Sequence, residues 1–380
     1  MRKSVAAFVA VGSSLALVLA GCGNNSSGDS SGSGGSGGSS APAAAGGGNG
    51  AKVGVILPET ASSARWAGFD EPMLKKALEA QGLTPIIENA QGDTQKFSQI
   101  ADTMLSQKVK VLIVAAPTGD SGAAVEQIAA KQGVPVIDYD RLNLGGSAQY
   151  YVSFDNVRVG HLQGQALADS LKDKKGAQVI EIEGAPTDNN ATLFKQGQEE
   201  VVKPLYADGS LKLVNSRAID KWDNQLGGQV FEQLLTANKG KIDGVLAAND
   251  GLAGAVITVL QKYHLAGKVP VTGQDATADG LRAILSGQQY STVFKPIQEE
   301  ADAAAQLAAA LVKGSTGEAD KVATATSHDP TGNRDVKSVL LTPQPITKDN
   351  VKLVIDKGYV KASEVCTGAA KAACDSAGIK

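Results

Sequence analysis

Short loops that combine Asp, Asn, Arg and Trp recur after predicted strands and carry the distinctive chemistry of this sequence. Six loops have this composition: 62–66, 139–141, 184–190, 220–222, 248–250 and 273–275. Carboxylates accept hydrogen bonds from hydroxyl groups, whereas Arg and Asn donate them, and bonds to charged groups are the stronger kind. The only two tryptophans, Trp66 and Trp222, lie in these loops, and an indole ring can cover an apolar C–H face. The set predicts a neutral polyhydroxyl ligand.

Each of these residues, taken alone, also has a purely structural explanation. Asp and Asn after a strand often cap a helix, and we expect that role for Asp250 and Asn156. Asp140, Asn249 and Asp275 each suit a cap or turn as well as a ligand contact, and a tryptophan often packs in a core. The joint occurrence in six loops favours a binding site. Because the loops contain no excess of Arg or Lys, a phosphate or dicarboxylate ligand is less favoured.

The elements that must position these loops alternate between β-branched runs and amphipathic stretches. Predicted strands cover 53–57, 84–88, 109–115, 134–138, 150–154, 178–182, 211–217, 244–248, 269–273, 290–294 and 336–341. Predicted helices cover 66–81, 94–107, 120–132, 157–172, 190–205, 224–238, 252–264, 278–286 and 297–312. Gly82 and Gly133 occupy helix C-cap positions.

This alternation predicts an α/β protein with two doubly wound parallel-sheet lobes. About 330 residues follow the N-terminal segments, which is more than one typical domain. In open parallel sheets the loops beyond the carboxyl ends of the strands converge on the ligand. The polar tract 314–335 has no pattern that assigns it to an element.

The N-terminus has the pattern of an exported lipoprotein. Residues 1–21 carry Arg2 and Lys3 before a short apolar run, as in a signal peptide. The run ends in Leu-Ala-Gly before Cys22, which resembles the lipobox whose cysteine is lipidated. Residues 22–50 are rich in Gly, Ser, Ala and Asn, which predicts a disordered tether. The alternative is an ordinary secretory signal with a chance cysteine.

Cysteine usage and charge narrow the functional classes further. Cys366 and Cys374 lie eight residues apart, and a disulfide is favoured over a metal pair because the three histidines are scattered. The net charge of −3 gives no reason to expect a nucleic-acid partner. We expect no cofactor and no metal site.

The ordered series of motifs resembles the type I periplasmic binding proteins, in the group that includes D-xylose-binding and multiple-sugar-binding proteins. The matching stretches lie between residues 52 and 312: 62–66, 139–141, 151–160, 188–194, 203–206, 249–250, 273–276 and 293–296. The resemblance implies two lobes joined by three crossovers, near 154–156, 294–296 and 341–345. It implies an N-terminal lobe of 51–155 plus 296–341 and a C-terminal lobe of 156–295 plus 342–380.

The resemblance also implies which residues contact the ligand and what the protein does. The implied contacts are Arg65, Trp66, Asp140, Arg141, Asp188, Asn190, Trp222, Asn249, Asp275 and Lys295. Trp66 and Trp222 would sandwich one aldopyranose ring, while Lys295 is indicated by the resemblance alone. The implied role is the monomeric capture component of an ABC importer that works with permease and ATPase subunits. D-xylose is the first expectation, and glucose, galactose and arabinose are alternatives.

Other functions fit the sequence less well. No glycosidase pattern, Gly-x-Ser-x-Gly elbow or His-Glu-x-x-His site is present, so we expect no enzymatic activity. A sugar-responsive repressor would need a helix-turn-helix segment where the signal and tether lie. A protein that presents sugar to a chemoreceptor would use the same cleft, and the sequence does not separate it from an importer.

Overall fold

The computed structural model describes residues 50–380, so the predicted signal peptide, Cys22 and nearly all of the tether lie outside the described residues. The strands are β1 (Lys52–Leu57), β2 (Thr84–Asn89), β3 (Val111–Val114), β4 (Val136–Tyr139), β5 (Tyr150–Phe154), β6 (Ala177–Glu183), β7 (Leu211–Ala218), β8 (Gly244–Ala247), β9 (Ser291–Phe294), β10 (Ala325–Asp329), β11 (Arg334–Leu341) and β12 (Gln344–Thr347).

The helices separate most of the strands. The α-helices are α1 (Glu71–Ala80), α2 (Thr94–Ser106), α3 (Gly119–Lys131), α4 (Asn156–Leu171), α5 (Asn189–Ala207), α6 (Asn224–Ala237), α7 (Asp250–Lys262), α8 (Ala278–Leu285), α9 (Ile297–Val312), α10 (Thr316–Val322), α11 (Lys352–Asp356), α12 (Ala362–Val365) and α13 (Lys371–Ser376). A π-helical turn, Trp66–Asp70, leads into α1, and short 3₁₀ turns cover Asp220–Trp222 and Gly368–Ala370. Within residues 50–380, none of the helices has the length and apolar character that a bilayer crossing requires.

The first lobe is built on a seven-stranded sheet in the order β10-β11-β5-β4-β3-β1-β2. Its strands are parallel except for the edge pair β10 and β11, which is antiparallel. Strands β3, β4 and β5 are buried along their whole length, as expected when helices cover both faces of a parallel sheet. The loops that hold Arg65 and Asp140 follow the carboxyl ends of β1 and β4.

The hairpin at this edge fills part of the tract that the sequence left unassigned. Helix α10 and strand β10 lie within 314–335, and the Asp329 side chain organises the turn that follows. It accepts hydrogen bonds from the backbone amides of Thr331 (3.0 Å) and Gly332 (2.9 Å), and from Gly145 (3.0 Å) in the loop after Arg141. One buried carboxylate therefore ties the hairpin to a loop of the candidate site.

The second lobe contains a three-stranded parallel sheet, β7-β6-β8, and a separate antiparallel pair, β9 and β12. The predicted strand over 269–273 is wrong, because only Val271 forms a bridge, to Val245. Pro270 has no N–H to donate to a ladder. The Thr272 hydroxyl then accepts from the Ala247 amide at 2.9 Å, so a side chain replaces the next backbone bond.

Three crossings join the lobes, after β5, after β9 and after β11. Helix α4 follows β5 into the second lobe, where it packs against α5 and β8. Helix α9 follows β9 back to the first lobe, where its alanine-rich face packs in the core with Val53 and Ile113. Strand β12 follows β11 and pairs with β9. These connections place the candidate loops of both lobes around one cleft.

Helix ends agree with part of the capping predictions. Gly82 and Gly133 follow their helices with φ of +72° and +69°, a left-handed conformation that glycine adopts at low cost. The predicted caps Asp250 and Asn156 are wrong, because each is the first residue of its helix. Asn249 caps α7 and Asp155 caps α4 instead, with side chains that accept from the Leu252 and Arg158 amides.

Helices α4 and α5 approach each other closely because glycine stands at both contact points. A Cβ atom on Gly160 would lie 1.8 Å from the Phe194 carbonyl oxygen, and one on Gly197 would lie 1.9 Å from the Val157 carbonyl oxygen. No other residue fits at these distances without moving the helices apart. This packing fixes the position of α5, which begins at the predicted ligand residues Asp188 and Asn190.

The C-terminal tail packs against the second lobe. Cys366 and Cys374 are joined by a disulfide. Cys374 is buried in a cluster with Leu281 of α8 and Ile346 of β12. The disulfide therefore closes a small helical tail that covers one side of the lobe.

Candidate functional site

All ten residues predicted to contact a ligand line one cavity between the two lobes. They are Arg65, Trp66, Asp140, Arg141, Asp188, Asn190, Trp222, Asn249, Asp275 and Lys295. The cavity has about 330 Å³ of atom-free space, part of which is open to solvent. The predicted residues therefore converge, although loops far apart in sequence supply them.

Arg65 organises the first-lobe side of the cavity through three carboxylates. Its guanidinium binds Asp70 at 2.6 and 2.9 Å, Asp140 at 2.7 Å and Glu300 at 3.0 Å. Burial alone would raise the pKa of Asp140, but attraction from Arg65, Lys295 and Arg141 outweighs it and the pKa falls below its ordinary value. Burial holds the pKa of Glu300 well above its ordinary value despite Arg65. Asp140 is therefore the ionised acceptor on this side.

Lys295 links carboxylates of the two lobes. It follows β9, and its Nζ atom lies 3.0 Å from Asp275 Oδ1 and 4.0 Å from Asp140 Oδ2. Ser63 of the first lobe donates to Asp275 Oδ2 at 3.1 Å. The lysine that only the resemblance indicated thus lies at the centre of the cavity wall.

Arg141 and Asp188 form the opposite ion pair. Arg141 Nε lies 3.0 Å from Asp188 Oδ2, and the Trp222 indole donates to the same oxygen at 3.1 Å. The other carboxylate oxygen of Asp188 accepts a hydrogen bond from the backbone amide of Asn190 and so caps α5. Burial raises the pKa of Asp188, and Arg141 opposes that shift without cancelling it. Asp188 is therefore a helix cap and a cavity residue at once.

The two tryptophans have different surroundings. The guanidinium carbons of Arg65 and Arg141 lie 4.4 and 5.3 Å from the centroid of the Trp66 ring, within cation–π range. The Trp222 ring packs edge-on against Phe194, with centroids 6.4 Å apart. Both tryptophans are almost fully buried and line the cavity. That they sandwich a sugar ring remains a prediction.

Asp250 does not have the role that the sequence predicted, whereas Asn249 has both of its alternative roles. Asn249 lines the cavity and also caps α7, so both of its alternative roles apply. Asp250 lies outside the cavity lining and accepts bonds from Gln289, Thr292 and Thr277. Burial raises the pKa of Asp250 to about 7. The error arises because Asn and Asp are equally good caps, and their order along the chain does not reveal which one starts the helix.

Three cavity residues adopt backbone conformations that are rare outside glycine. Asp140, Trp222 and Asp275 have φ of 63°, 55° and 97°. Such strain costs on the order of 1–3 kcal/mol for each residue and concentrates at functional sites. The tight turns direct these side chains into the cavity at the ends of their loops.

Four further residues line the cavity that the sequence reasoning missed: Ser62, Ser63, Phe194 and Gln274. Phe194 follows Asn190 by four residues on α5, so helical spacing would have placed both on one face. Gln274 directly precedes Asp275. Each of the four lies within a stretch that the sequence analysis had singled out, 62–66, 188–194 or 273–276, but was not chosen as a contact.

Several polar atoms of the cavity residues are buried without a hydrogen-bond partner in the protein. They include Arg141 Nε, Gln274 Oε1 and Asp275 Oδ1. The ion-pair contacts of Arg141 Nε and Asp275 Oδ1 have angles outside hydrogen-bond geometry, although each is 3.0 Å long. A buried polar group without a partner costs on the order of 1–3 kcal/mol. One donor and two acceptors are therefore available to a group that can both donate and accept.

Comparison with known proteins is consistent with this architecture. The model of the periplasmic binding protein domain family matches residues 53–316, which is more than half of the chain. This chain is a periplasmic binding protein. It has the type I fold of that family, with two α/β lobes around a cleft.

Several relatives of this periplasmic binding protein carry sugar-binding names. It is 35% identical to the D-xylose-binding periplasmic protein of Escherichia coli over 315 residues, which covers 83% of this chain and 92% of the relative. It is 34% identical to the multiple sugar-binding periplasmic receptor ChvE of Rhizobium radiobacter, with coverages of 82% and 92%. A carbohydrate transporter solute-binding protein from Chloroflexus aurantiacus, solved with D-glucose, has a TM-score of 0.75, 30% identity and coverages of 82% and 97%.

Proposed function

We propose that this chain is the solute-binding component of an ABC sugar importer and binds one aldopyranose in the cavity between its lobes. The observation that carries the proposal is the balanced set of side chains on one small cavity. Three cations, Arg65, Arg141 and Lys295, oppose three carboxylates, Asp140, Asp188 and Asp275. Two tryptophans complete the wall.

The charge balance favours a neutral ligand with hydroxyl groups. A phosphate or dicarboxylate would add buried negative charge to a cavity whose cations already have partners, and an unpaired buried charge is costly. A hydroxyl group donates one hydrogen bond and accepts others, so it matches the unpartnered donor Arg141 Nε and the acceptors Gln274 Oε1 and Asp275 Oδ1. The tryptophans suit the apolar C–H surface of a pyranose.

D-xylose is the first candidate and D-glucose the second. Relatives at 35% and 36% identity, from Escherichia coli and Haemophilus influenzae, are named D-xylose-binding periplasmic proteins. Two structurally similar solute-binding proteins, with TM-scores of 0.75 and 0.72, were solved with D-glucose. These sugars differ by the C6 hydroxymethyl group, so side-chain packing around one small group decides between them.

The proposed contacts divide between the lobes, which gives the sugar a mechanical role. Arg65, Trp66, Asp140 and Arg141 come from the first lobe, whereas Asp188, Asn190, Trp222, Asn249 and Asp275 come from the second. A ligand that touches both halves stabilises the closed arrangement by its higher affinity for that arrangement. The closed, loaded protein would be the form that the permease recognises.

Isothermal titration calorimetry with a panel of sugars tests the assignment. We expect D-xylose to bind at one site, more tightly than D-glucose, D-galactose or L-arabinose, while glucose 6-phosphate gives no heat. If glucose binds more tightly than xylose, the ligand is the hexose and the assignment of D-xylose is wrong. If none of the four neutral sugars binds, the proposed function is wrong.

The proposal includes a lipid anchor at Cys22. It is supported by the Leu-Ala-Gly-Cys pattern at 19–22 and by the Gly/Ser tether that follows. In membrane fractionation of producing cells, Cys22→Ser should release the protein or block its processing, whereas Cys366→Ser should leave attachment unchanged. Unchanged attachment in Cys22→Ser would rule out the anchor. Permease and ATPase genes beside this one would favour import over presentation of sugar to a sensor.

A further inference from the structure

Behind the second-lobe loops, three buried polar side chains form a connected chain that does not line the cavity. Glu183 lies at the end of β6, Gln198 on α5 and Gln163 on α4. Their exposed fractions are 4%, 1% and 1%. Such burial of a carboxyl and two amides is costly unless they satisfy one another.

Gln163 connects two loops of the candidate site. Its amide nitrogen donates to the Ala248 carbonyl at 2.9 Å and to the Gly273 carbonyl at 3.1 Å. Ala248 immediately precedes Asn249, and Gly273 precedes Gln274 and Asp275. The position of Gln163 therefore sets the spacing of the two loops that present these residues.

The Ala248 and Gly273 carbonyls fix the direction of the hydrogen bonds between Gln163, Gln198 and Glu183. Because the nitrogen of Gln163 faces the carbonyls, its oxygen is an acceptor, and it accepts from Gln198 Nε2 at 2.9 Å. The Gln198 oxygen then lies 3.0 and 3.1 Å from the two carboxyl oxygens of Glu183. An ionised carboxylate has no proton to donate to that oxygen.

Reversing the amides does not remove the conflict. If Gln198 is reversed, its nitrogen donates to Glu183, but its oxygen then lies 2.9 Å from the Gln163 oxygen. If Gln163 is reversed as well, its oxygen faces two backbone carbonyls. Both reversed orientations leave two oxygens in contact whatever the state of Glu183, whereas the first orientation is satisfied once Glu183 supplies a proton to the Gln198 oxygen.

We propose that Glu183 carries this proton in the functional protein, and that the chain Glu183–Gln198–Gln163 positions the Asn249 and Asp275 loops for ligand binding. The inference rests on the proposed sugar site. Loss of the proton would turn Gln198 towards Glu183, break its bond to Gln163 and loosen the two loops. Glu183 is thus a positioning residue, and sugar affinity should fall when it ionises.

The electrostatic surroundings of Glu183 favour the protonated form near neutral pH. Burial, followed by repulsion from Glu181, raises the pKa of Glu183 to about 8. Of the other charged groups, Lys195 on α5 opposes the rise and Glu199 on the same helix adds to it. The Lys195 ammonium donates to Ser216 on β7, and Glu181 accepts from Tyr206.

The test measures sugar affinity against pH in the full-length protein, from about pH 6 to about pH 9.5. In the wild type, affinity should be constant below the pKa of Glu183 and should then fall, by at most about tenfold per pH unit. Glu183→Gln keeps a donor towards Gln198 at every pH, so its affinity should match the wild type at pH 6 and stay flat above it. Glu199→Gln, on the surface of α5, should retain the fall and move it to slightly lower pH, because Glu199 contributes to the raised pKa of Glu183.

A flat wild-type profile, or an equal fall in wild type and Glu183→Gln, would overturn the proposal. If Glu183→Gln does not fold, Gln198→Met interrupts the chain and should likewise flatten the profile.

A second measurement tests the proton on Glu183 separately from sugar binding. If no sugar binds at any pH, the proposed function is wrong, but the claim that Glu183 is protonated still stands or falls on this measurement. Without sugar, the free energy of unfolding should decrease as pH rises from about 4.5 to about 8, because the folded state keeps the Glu183 proton that the unfolded chain loses. Absence of that Glu183-dependent decrease would refute the proton.

Discussion

At the residue scale, each charged side chain of the cavity has a partner from a distant part of the chain. Lys295 contacts Asp275, Arg65 contacts Asp140, and Arg141 contacts Asp188. These buried pairs hold the side chains in place before a ligand arrives. The remaining hydrogen-bonding capacity, such as that of Asp275 Oδ1, is what a sugar hydroxyl would use.

Asp275→Asn should therefore lower sugar affinity by about 30- to 1000-fold, which corresponds to roughly 2–4 kcal/mol for a buried charged contact. The change also leaves the Lys295 ammonium without its closest carboxylate. Asp279→Asn is the matched control, because its side chain is 87% exposed and pairs only with Arg282 on the surface of α8. Calorimetry should show unchanged affinity in the control. Equal affinities in both variants would remove Asp275 from the site.

Asn249 has two roles that one substitution can separate. Asn249→Ser keeps a good N-cap for α7, so the free energy of unfolding should change by less than about 0.5 kcal/mol. It removes the amide at the cavity, so affinity should fall about tenfold, the value of one neutral hydrogen bond. Asp93→Ser makes a similar cap exchange on α2, at a residue that does not line the cavity, and should leave affinity unchanged. Unchanged affinity in Asn249→Ser would reduce Asn249 to a helix cap.

Residue types in loops and the family resemblance together predicted which residues line the cavity, but not the contacts among them. All ten proposed contacts line the cavity; nine lie in the six loops after predicted strands, and Lys295 came from the resemblance alone. The ion pairs, the positive φ of Trp222 and the capping of α7 by Asn249 instead of Asp250 depend on turn geometry. Composition carries no information about such geometry. The sequence pattern could not reveal the hydrogen-bonded series of Glu183, Gln198 and Gln163, because these residues lie on three separate elements.

At the element scale, the α4–α5 contact determines where the second-lobe ligand residues lie. Gly160→Ala should destabilise the protein by about 3 kcal/mol, because its Cβ would overlap the Phe194 carbonyl. Gly254→Ala on α7 is the matched control. Its Cβ would meet no atom within 4 Å, so this variant should gain about 0.5–1 kcal/mol from better helix propensity. Chemical denaturation measures both changes, and equal stability of the two variants would contradict the proposed contact.

The sequence pattern located some strands and helices to the residue and failed at two stretches. Strand and helix positions such as Tyr150–Phe154 and Ile297–Val312 agree with the sequence pattern to the residue. The pattern failed at 269–273, where apolar residues resemble a strand but Pro270 and Thr272 interrupt the ladder. It also failed at 314–335, where β10 is polar because it forms an exposed edge and owes its position to Asp329.

At the scale of the whole molecule, the two lobes are linked by three chain crossings and by contacts across the cleft. The Gly119 amide donates to the Thr187 carbonyl at 3.2 Å, and Asn190 donates to the Asp140 carbonyl at 2.8 Å. The bonds join the start of α3 and the loop at Asp140 to the N-terminal region of α5. A sugar that bridges Asp140 and Asp275 would add to these contacts, so the bound state should be more closed than one in which the contacts are broken.

Tryptophan emission tests the central claim, that a neutral sugar binds between the lobes at this cavity. The chain has only two tryptophans, and both line the cavity. Titration with D-xylose should change the emission in a saturable way, with the half-saturation concentration that calorimetry gives, and Asp275→Asn should shift that concentration upward. Emission that stays constant while calorimetry reports saturation would place the sugar away from Trp66 and Trp222 and contradict the account.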